Sequence, residues 1–195
     1  MTDLPDNLRM KDALKMFYNE HGLPPDGGTT SRLFKVQIGF IKFHLPNPKM
    51  RQQVVLFHDM NHILTNYKAD FFTGEIQIAG YEISSGCGKY LFAWWINLCF
   101  YALGLIINPK LLFIGFMRGR NCKGIYYYAK ELNNPLEMRI GAIKEKLGFN
   151  KPINKTNWKD ILLFAFWGII AILNLMVFIT PFFLIVLYVL YHFWF

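Results

Sequence analysis

The sequence predicts a mainly α fold: a helical metal-binding domain with a short β-hairpin, followed by a C-terminal transmembrane or re-entrant helical segment. Three observations predict it. Residues 161–180 carry no charge over a length that reaches about 30 Å as a helix, close to the hydrocarbon thickness of a bilayer. Upstream, apolar residues recur at the three- and four-residue spacing of amphipathic helices. His58-Asp59-Met60-Asn61-His62, with Gly74-Glu75 after it, gathers four metal-capable side chains into eighteen residues of an otherwise apolar sequence.

The elements follow in order. Leu8, Ala13, Leu14 and Phe17 mark an amphipathic helix ending near His21-Gly22, where His21 reads as a helix-end residue. Leu23-Pro-Pro-Asp-Gly-Gly28 is a loop, so residues 1–30 form an N-terminal helix and loop. Phe34, Val36 and Ile38, then Ile41, Phe43 and Leu45, alternate about Gly39-Phe40 as a hairpin does. His44 falls on its polar phase and reads as a surface residue. Leu45-Pro-Asn-Pro48 breaks the chain before a motif helix over Lys49–Asn66, on which Val54, Val55, Leu56, Met60 and Ile63 make an apolar face. Asn66, Asp70 and Gly74 are turn or breaker residues, and a helix from Glu75 to Ser84 follows them. Helical pieces over Lys110–Arg120, Gly124–Asn133 and Pro135–Leu147 complete a metal-binding domain of residues 31–150. Residues 151–195 are a basic flank and the membrane segment.

The metal reading rests on spacing. Positions i and i+4 of a helix lie one above the other about 5–6 Å apart, so His58 and His62 can turn both imidazoles to one ion. Asp59 sits about 100° round from His58 and either adds an oxygen at the rim or holds a ligand imidazole. Glu75 then arrives from the next helix, and Glu82, seven residues on, shares its face as a supporting acid or proton carrier. Two imidazoles with one or two carboxylates suit a divalent metal, zinc first, with iron(II) or manganese as alternatives. The His-Asp pair also invites comparison with HD-type phosphohydrolases. Those need a further upstream His and a distant Asp, and no Asp of the C-terminal half has a matching context.

The motif resembles that of the coenzyme Q biosynthesis protein four family: His-Asp-x-x-His, an eleven-residue gap, then Glu. The likeness continues through Leu64-Thr65-Asn66-Tyr67, Asp70, Glu82 and Gly115-Phe-Met-Arg118-Gly-Arg120 to Arg139 and Leu147-Gly148, covering residues 45–150. Here twelve residues, Ile63 to Gly74, separate His62 from Glu75, one more than in the family. The resemblance implies a metal held by His58, Asp59, His62 and Glu75, with Arg118 or Arg120 receiving the charge of a substrate carboxylate. It also implies oxidative decarboxylation at C1 of a prenylated benzoate, a quinone precursor, and association with other biosynthetic enzymes or with a second copy of the chain. The aromatic helix around Trp94 to Tyr101 would cover the isoprenoid tail. Two other functions fit the same residues: a non-catalytic lipid-binding scaffold for quinone-pathway enzymes, and a metallohydrolase acting on a lipid headgroup.

The composition, 53% hydrophobic and 17% aromatic, is too apolar for an ordinary soluble domain of 195 residues, and the excess sits in blocks. Ile161 to Thr180 is the clearest; Pro181 interrupts it, and fourteen further apolar residues allow a long kinked helix, a re-entrant segment or a helical hairpin. Lys151, Lys155 and Lys159 precede the span and only His192 follows it, which places the N-terminal domain in the cytoplasm. Leu91–Asn108 is almost long enough to span, and reads as a domain helix partly dipping into lipid. The net charge of +8 forms no continuous run, which argues against nucleic acid; its clustering near the span points to anionic membrane lipids. Cys87, Cys99 and Cys122, odd in number and widely spaced, suggest neither a disulfide framework nor a zinc knuckle.

Overall fold

The computed structural model describes residues 4–38, 41–132 and 134–194. It is mainly helical, 63% helix against 5% strand, with the strand confined to one two-stranded sheet. Helix α1 spans Met10–Glu20, and its period-3.6 face of Met10, Ala13, Leu14 and Phe17 is fully buried. Strands β1 (Leu33–Ile38) and β2 (Ile41–Pro46) pair antiparallel with Phe34 opposite Leu45 and Val36 opposite Phe43. The Gly39-Phe40 turn lies outside the described residues. His44 is exposed.

The motif helix is in two pieces, α2 (Lys49–Gln52) and α3 (Val55–Thr65), where the sequence predicts one. The interruption falls at Gln53-Val54, just before the buried β-branched pair Val54-Val55, whose stiff side chains lower helix propensity. Helix α3 ends where expected: Asn66 takes the left-handed conformation, φ 59°, that a short polar side chain tolerates at a helix end. Helix α4 covers Gly74–Ser85, α5 Leu91–Ile107 and α6 Pro109–Asn121. Asn108 caps α6 by accepting from the Leu111 amide, and Pro109 sits in the first turn, where its missing N–H costs nothing.

Two of the expected helices are shorter than predicted. Helix α7 is only Ile125–Tyr128, and α8 runs Ile140–Leu147 rather than from Pro135. The reason for the second is that residues 136–140 pair with the start of α1 instead: Met10 donates to the Met138 carbonyl, Lys11 to Leu136, and Ile140 to Leu8. α1 therefore belongs to the same core as α3, α7 and α8, built on Phe17, Met60, Tyr81, Ile125 and Ile140. A second core joins Ile76 and Ile83 of α4 to Tyr101, Leu112 and Phe116, and to Ala171.

α4 and α6 approach unusually closely because glycines line their contact. A Cβ on Gly115 would stand 2.0 Å from the Gln77 carbonyl oxygen, and one on Gly80 2.3 Å from that of Leu112. Helix α9, Trp158–Trp194, is unbroken over 37 residues and passes through Pro181. The chain does not turn back at Thr180-Pro181, because no cap or turn residue follows the proline. Its Trp158–Pro181 stretch, of mean hydropathy 2.6, is the one described helix long and apolar enough to cross a membrane. α5 is too short for that; it packs against α9 through stacked Trp94 and Trp167 and a hydrogen bond from the Tyr101 hydroxyl to the Phe164 carbonyl.

Candidate metal centre

Local sequence explains why two histidines and a glutamate meet. His58 and His62 stand one turn apart on α3, and their Nε2 atoms face each other at 3.2 Å. Glu75 lies in the first turn of α4, its carboxylate oxygens 3.3 Å from His58 Nε2 and 3.4 Å from His62 Nε2. The twelve-residue gap is absorbed in the turn after α3. There Asp70 accepts from the Thr73 amide and hydroxyl, and its carbonyl accepts from the Glu75 amide. Gly74 is required beside it: a Cβ there would overlap the Lys68 carbonyl. Glu75 thus reaches both imidazoles across the twelve-residue gap.

Both imidazoles are aimed through their other nitrogen. His62 Nδ1 donates to the Tyr67 carbonyl at 3.2 Å and His58 Nδ1 to Glu82 at 3.1 Å, which leaves Nε2 of each for the ion. Glu82 is wholly buried. It also accepts from Asn61 at 2.8 Å, from Asn97 and from the Tyr126 hydroxyl at 3.0 Å. Burial would push the Glu82 carboxyl up, but His58 and the two amides overcome it and hold it below the usual range. Burial would likewise depress His58, and the Glu82 and Glu75 carboxylates outweigh it and hold the imidazole well above its ordinary value. The group thus calls for a positive charge among its three donors.

The donors fit a metal ion in number, kind and spacing. One donor atom each from His58, His62 and Glu75 lie within 4.8 Å of one another. Donors about 2.0–2.1 Å from a tetrahedral ion are roughly 3.3–3.4 Å apart; each Nε2 stands at about that distance from a different oxygen of Glu75. His62 is 1% exposed, whereas His58 and Glu75 are 24% and 21% exposed, so one side of the group is open.

The other expected residues lie elsewhere or act differently. Asp59 is not in the donor group. Its buried carboxylate faces the Tyr18 hydroxyl and the Gly27 backbone, and its Oδ2 completes no well-formed hydrogen bond. Burial pushes Asp59 up to about 6, against the pull of His58 and His62. Glu82 holds His58 rather than facing the open side. Arg120 is committed to Asp160 of α9 at 3.2 Å, and Arg118 lies beside the Tyr67 phenol and over the Phe149 ring.

The cation whose charge does act on the site is Arg51, which sequence reasoning missed. It is held by the Asn47 side chain at 3.1 Å and lies over the Phe34 ring, and it pulls on both Asp59 and Glu75. Its helical spacing to His58 gives no signal, because the turn at Gln53-Val54 separates α2 from α3 and breaks the phase between them. Asn61 and Asn97 were also missed, since an amide that supports a buried carboxylate leaves no spacing pattern. No known protein family, curated protein or solved structure matches this chain.

Proposed function

We propose that this chain is a membrane-anchored metalloprotein in which His58, His62 and Glu75 hold a divalent ion that acts on a prenylated lipid precursor. The observation that supports it is the pair of Nε2 atoms and one carboxylate gathered on a partly open side, with each Nδ1 already committed. Two histidines and one carboxylate are a donor set shared by catalytic zinc sites and by non-haem iron(II) oxygenases. When bound, zinc supplies a Lewis acid and iron(II) or manganese supplies dioxygen chemistry.

Resemblance to the coenzyme Q biosynthesis protein four family supports a quinone-precursor substrate and replacement of its ring carboxylate by hydroxyl. That conversion is a two-electron oxidation: the carboxylate leaves as carbon dioxide, the ring carbon gains a hydroxyl, and dioxygen with water as co-reactant would leave as hydrogen peroxide, which favours a redox-active ion over zinc. The charge of Arg51, which acts on Asp59 and Glu75, supports it rather than Arg118 or Arg120 as the partner of the substrate's anionic group. Glu82 positions His58. The lysines before α9 favour the cytoplasmic side for the domain and anionic lipid as its surface.

The test is metal content per chain, measured by elemental mass spectrometry on protein purified in mild detergent. Near-stoichiometric metal in the wild type, lost in His62→Ala and in Glu75→Gln, is expected. Its identity then separates redox from hydrolytic chemistry, and prenylated benzoates are assayed with and without dioxygen. A folded wild type that takes up no metal would overturn the reading in favour of a lipid-binding scaffold.

A further inference from the structure

The length of α9 constrains where the domain sits. A span needs about 20 residues, and α9 has 37, so the span can slide from 158–177 to 175–194. Residues 175–177 lie inside it at either limit and at every position between. Leu175 and Met176 are not alone there. With Ile179 they form one wall of an apolar notch of about 390 Å³ whose other wall is Ala102, Leu105 and Ile106 of α5. If α9 spans, the end of α5 is therefore in hydrocarbon wherever the span is placed.

The surface chemistry agrees. Ile106 is 77% exposed and Ile107 is half-exposed, at a corner where α5 turns into α6 through Asn108-Pro109. Water is a poor solvent for two adjacent exposed isoleucines at a helix end, and acyl chains are a good one. Lys110, exposed on the α6 side of the corner, limits the depth, because its ammonium must reach the headgroups while its stem lies in the apolar layer. The other ends of these elements point away from the corner: Arg120, at the far end of α6, pairs with Asp160 near the start of α9.

We propose that the α5–α6 corner is inserted in the bilayer alongside α9, and that the notch between α5 and α9 holds one hydrocarbon chain of a membrane lipid. The notch has the size of ordinary small-ligand sites and is lined almost wholly by apolar side chains. The inference rests on the membrane anchorage in the proposed function and is independent of the metal. It has a consequence for the metal centre. Ile76, next to Glu75, packs where Gly104 brings α5 close, and Phe71 of the preceding turn packs on Phe100 of α5 with Phe72 exposed beside it. The turn that presents Glu75 thus lies along the helix whose end enters the bilayer, so a lipid substrate would reach the ion without leaving the membrane surface.

The experiment places the photo-crosslinker p-benzoylphenylalanine singly at Ile106, Val177 and Met16 in the full chain. All three side chains are exposed, so folding is preserved. The protein is reconstituted in dioleoylphosphatidylcholine vesicles, with and without a long-chain prenyl phenol, irradiated, and its adducts are weighed by mass spectrometry. Lipid adducts at Ile106 and Val177 but none at Met16 are expected; acyl or prenyl mass at Ile106 identifies the chain that the notch takes. An adduct at Val177 without one at Ile106 would overturn insertion of the corner. Absence at Val177 would overturn the span itself, and equal labelling at Met16 would reduce the result to non-specific contact and overturn the site. Metal content, measured on the same samples, reports separately on the metal reading.

Discussion

Glu82 carries more hydrogen bonds than the imidazole it orients. His58, Asn61, Asn97 and Tyr126 all donate to its carboxylate in a place without water access. Glu82→Gln keeps the shape, but its amide cannot accept on both sides, and it gives His58 Nδ1 at best a neutral carbonyl in place of a carboxylate. Metal affinity should fall about 10- to 100-fold, as replacing such supporting groups generally does, while the far-ultraviolet circular dichroism stays that of wild type. A competitive chelator titration reads this directly. Asp26 offers a pH test away from the metal. The Thr30 hydroxyl and amide, the Gly28 amide and Thr29 donate to its carboxylate and hold it well below the usual range. A depressed carboxyl contributes stability above its unfolded value, and that contribution is lost as pH falls through the ordinary carboxylate range toward the folded value. Amide exchange at Gly28 and Thr30 should accelerate over that acid window in wild type, and Asp26→Asn should remove the dependence.

At the scale of elements, the contact of α4 with α6 depends on glycine rather than on apolar area. Gly115→Ala would drive a methyl group to 2.0 Å from the Gln77 carbonyl oxygen, a backbone atom that cannot rotate away. The helices must separate, at a cost of roughly 1–3 kcal/mol, and thermal unfolding should show a lowered Tm. Gly74→Ala acts on function instead. Its Cβ meets the Lys68 carbonyl at the turn that delivers Glu75, so metal content should drop in a protein that remains helical. The elements themselves were largely legible. Apolar periodicity marks α1, α3 and α4, and alternation about Gly39-Phe40 marks the hairpin, because those patterns follow from backbone geometry alone. The breaks were not legible. α8 begins late because residues 136–140 hydrogen-bond to α1, a partner more than a hundred positions away in the chain.

For the whole molecule, α9 is both anchor and wall. Arg120–Asp160, Trp94–Trp167 and Tyr101–Phe164 fix its first half to α5 and α6, and Ala171 is fully buried in the second core. A chain ending before Trp158 should leave the membrane fraction on carbonate extraction and then self-associate, because Tyr101, Leu112 and Phe116 lose the surface that covers them. Light scattering with sedimentation checks both effects. The candidate centre divides along the same line between chain-local and long-range information. His58, His62 and the arrival of Glu75 could be read from spacing, since i, i+4 on a helix places two side chains together whatever surrounds it. Arg120 could not, because nothing local reveals that Asp160, forty residues on, takes its charge. By itself the sequence determined the helical class, the donor pair of α3 and an apolar segment long enough to span, all properties of residues close along the chain. Only the tertiary structure decided that Asp59 faces Tyr18 rather than the donor group, that Glu82 orients His58, and that Arg51 is the cation acting on the site. Those depend on which side chains meet after distant helices pack, and burial then fixes their hydrogen bonds and charge.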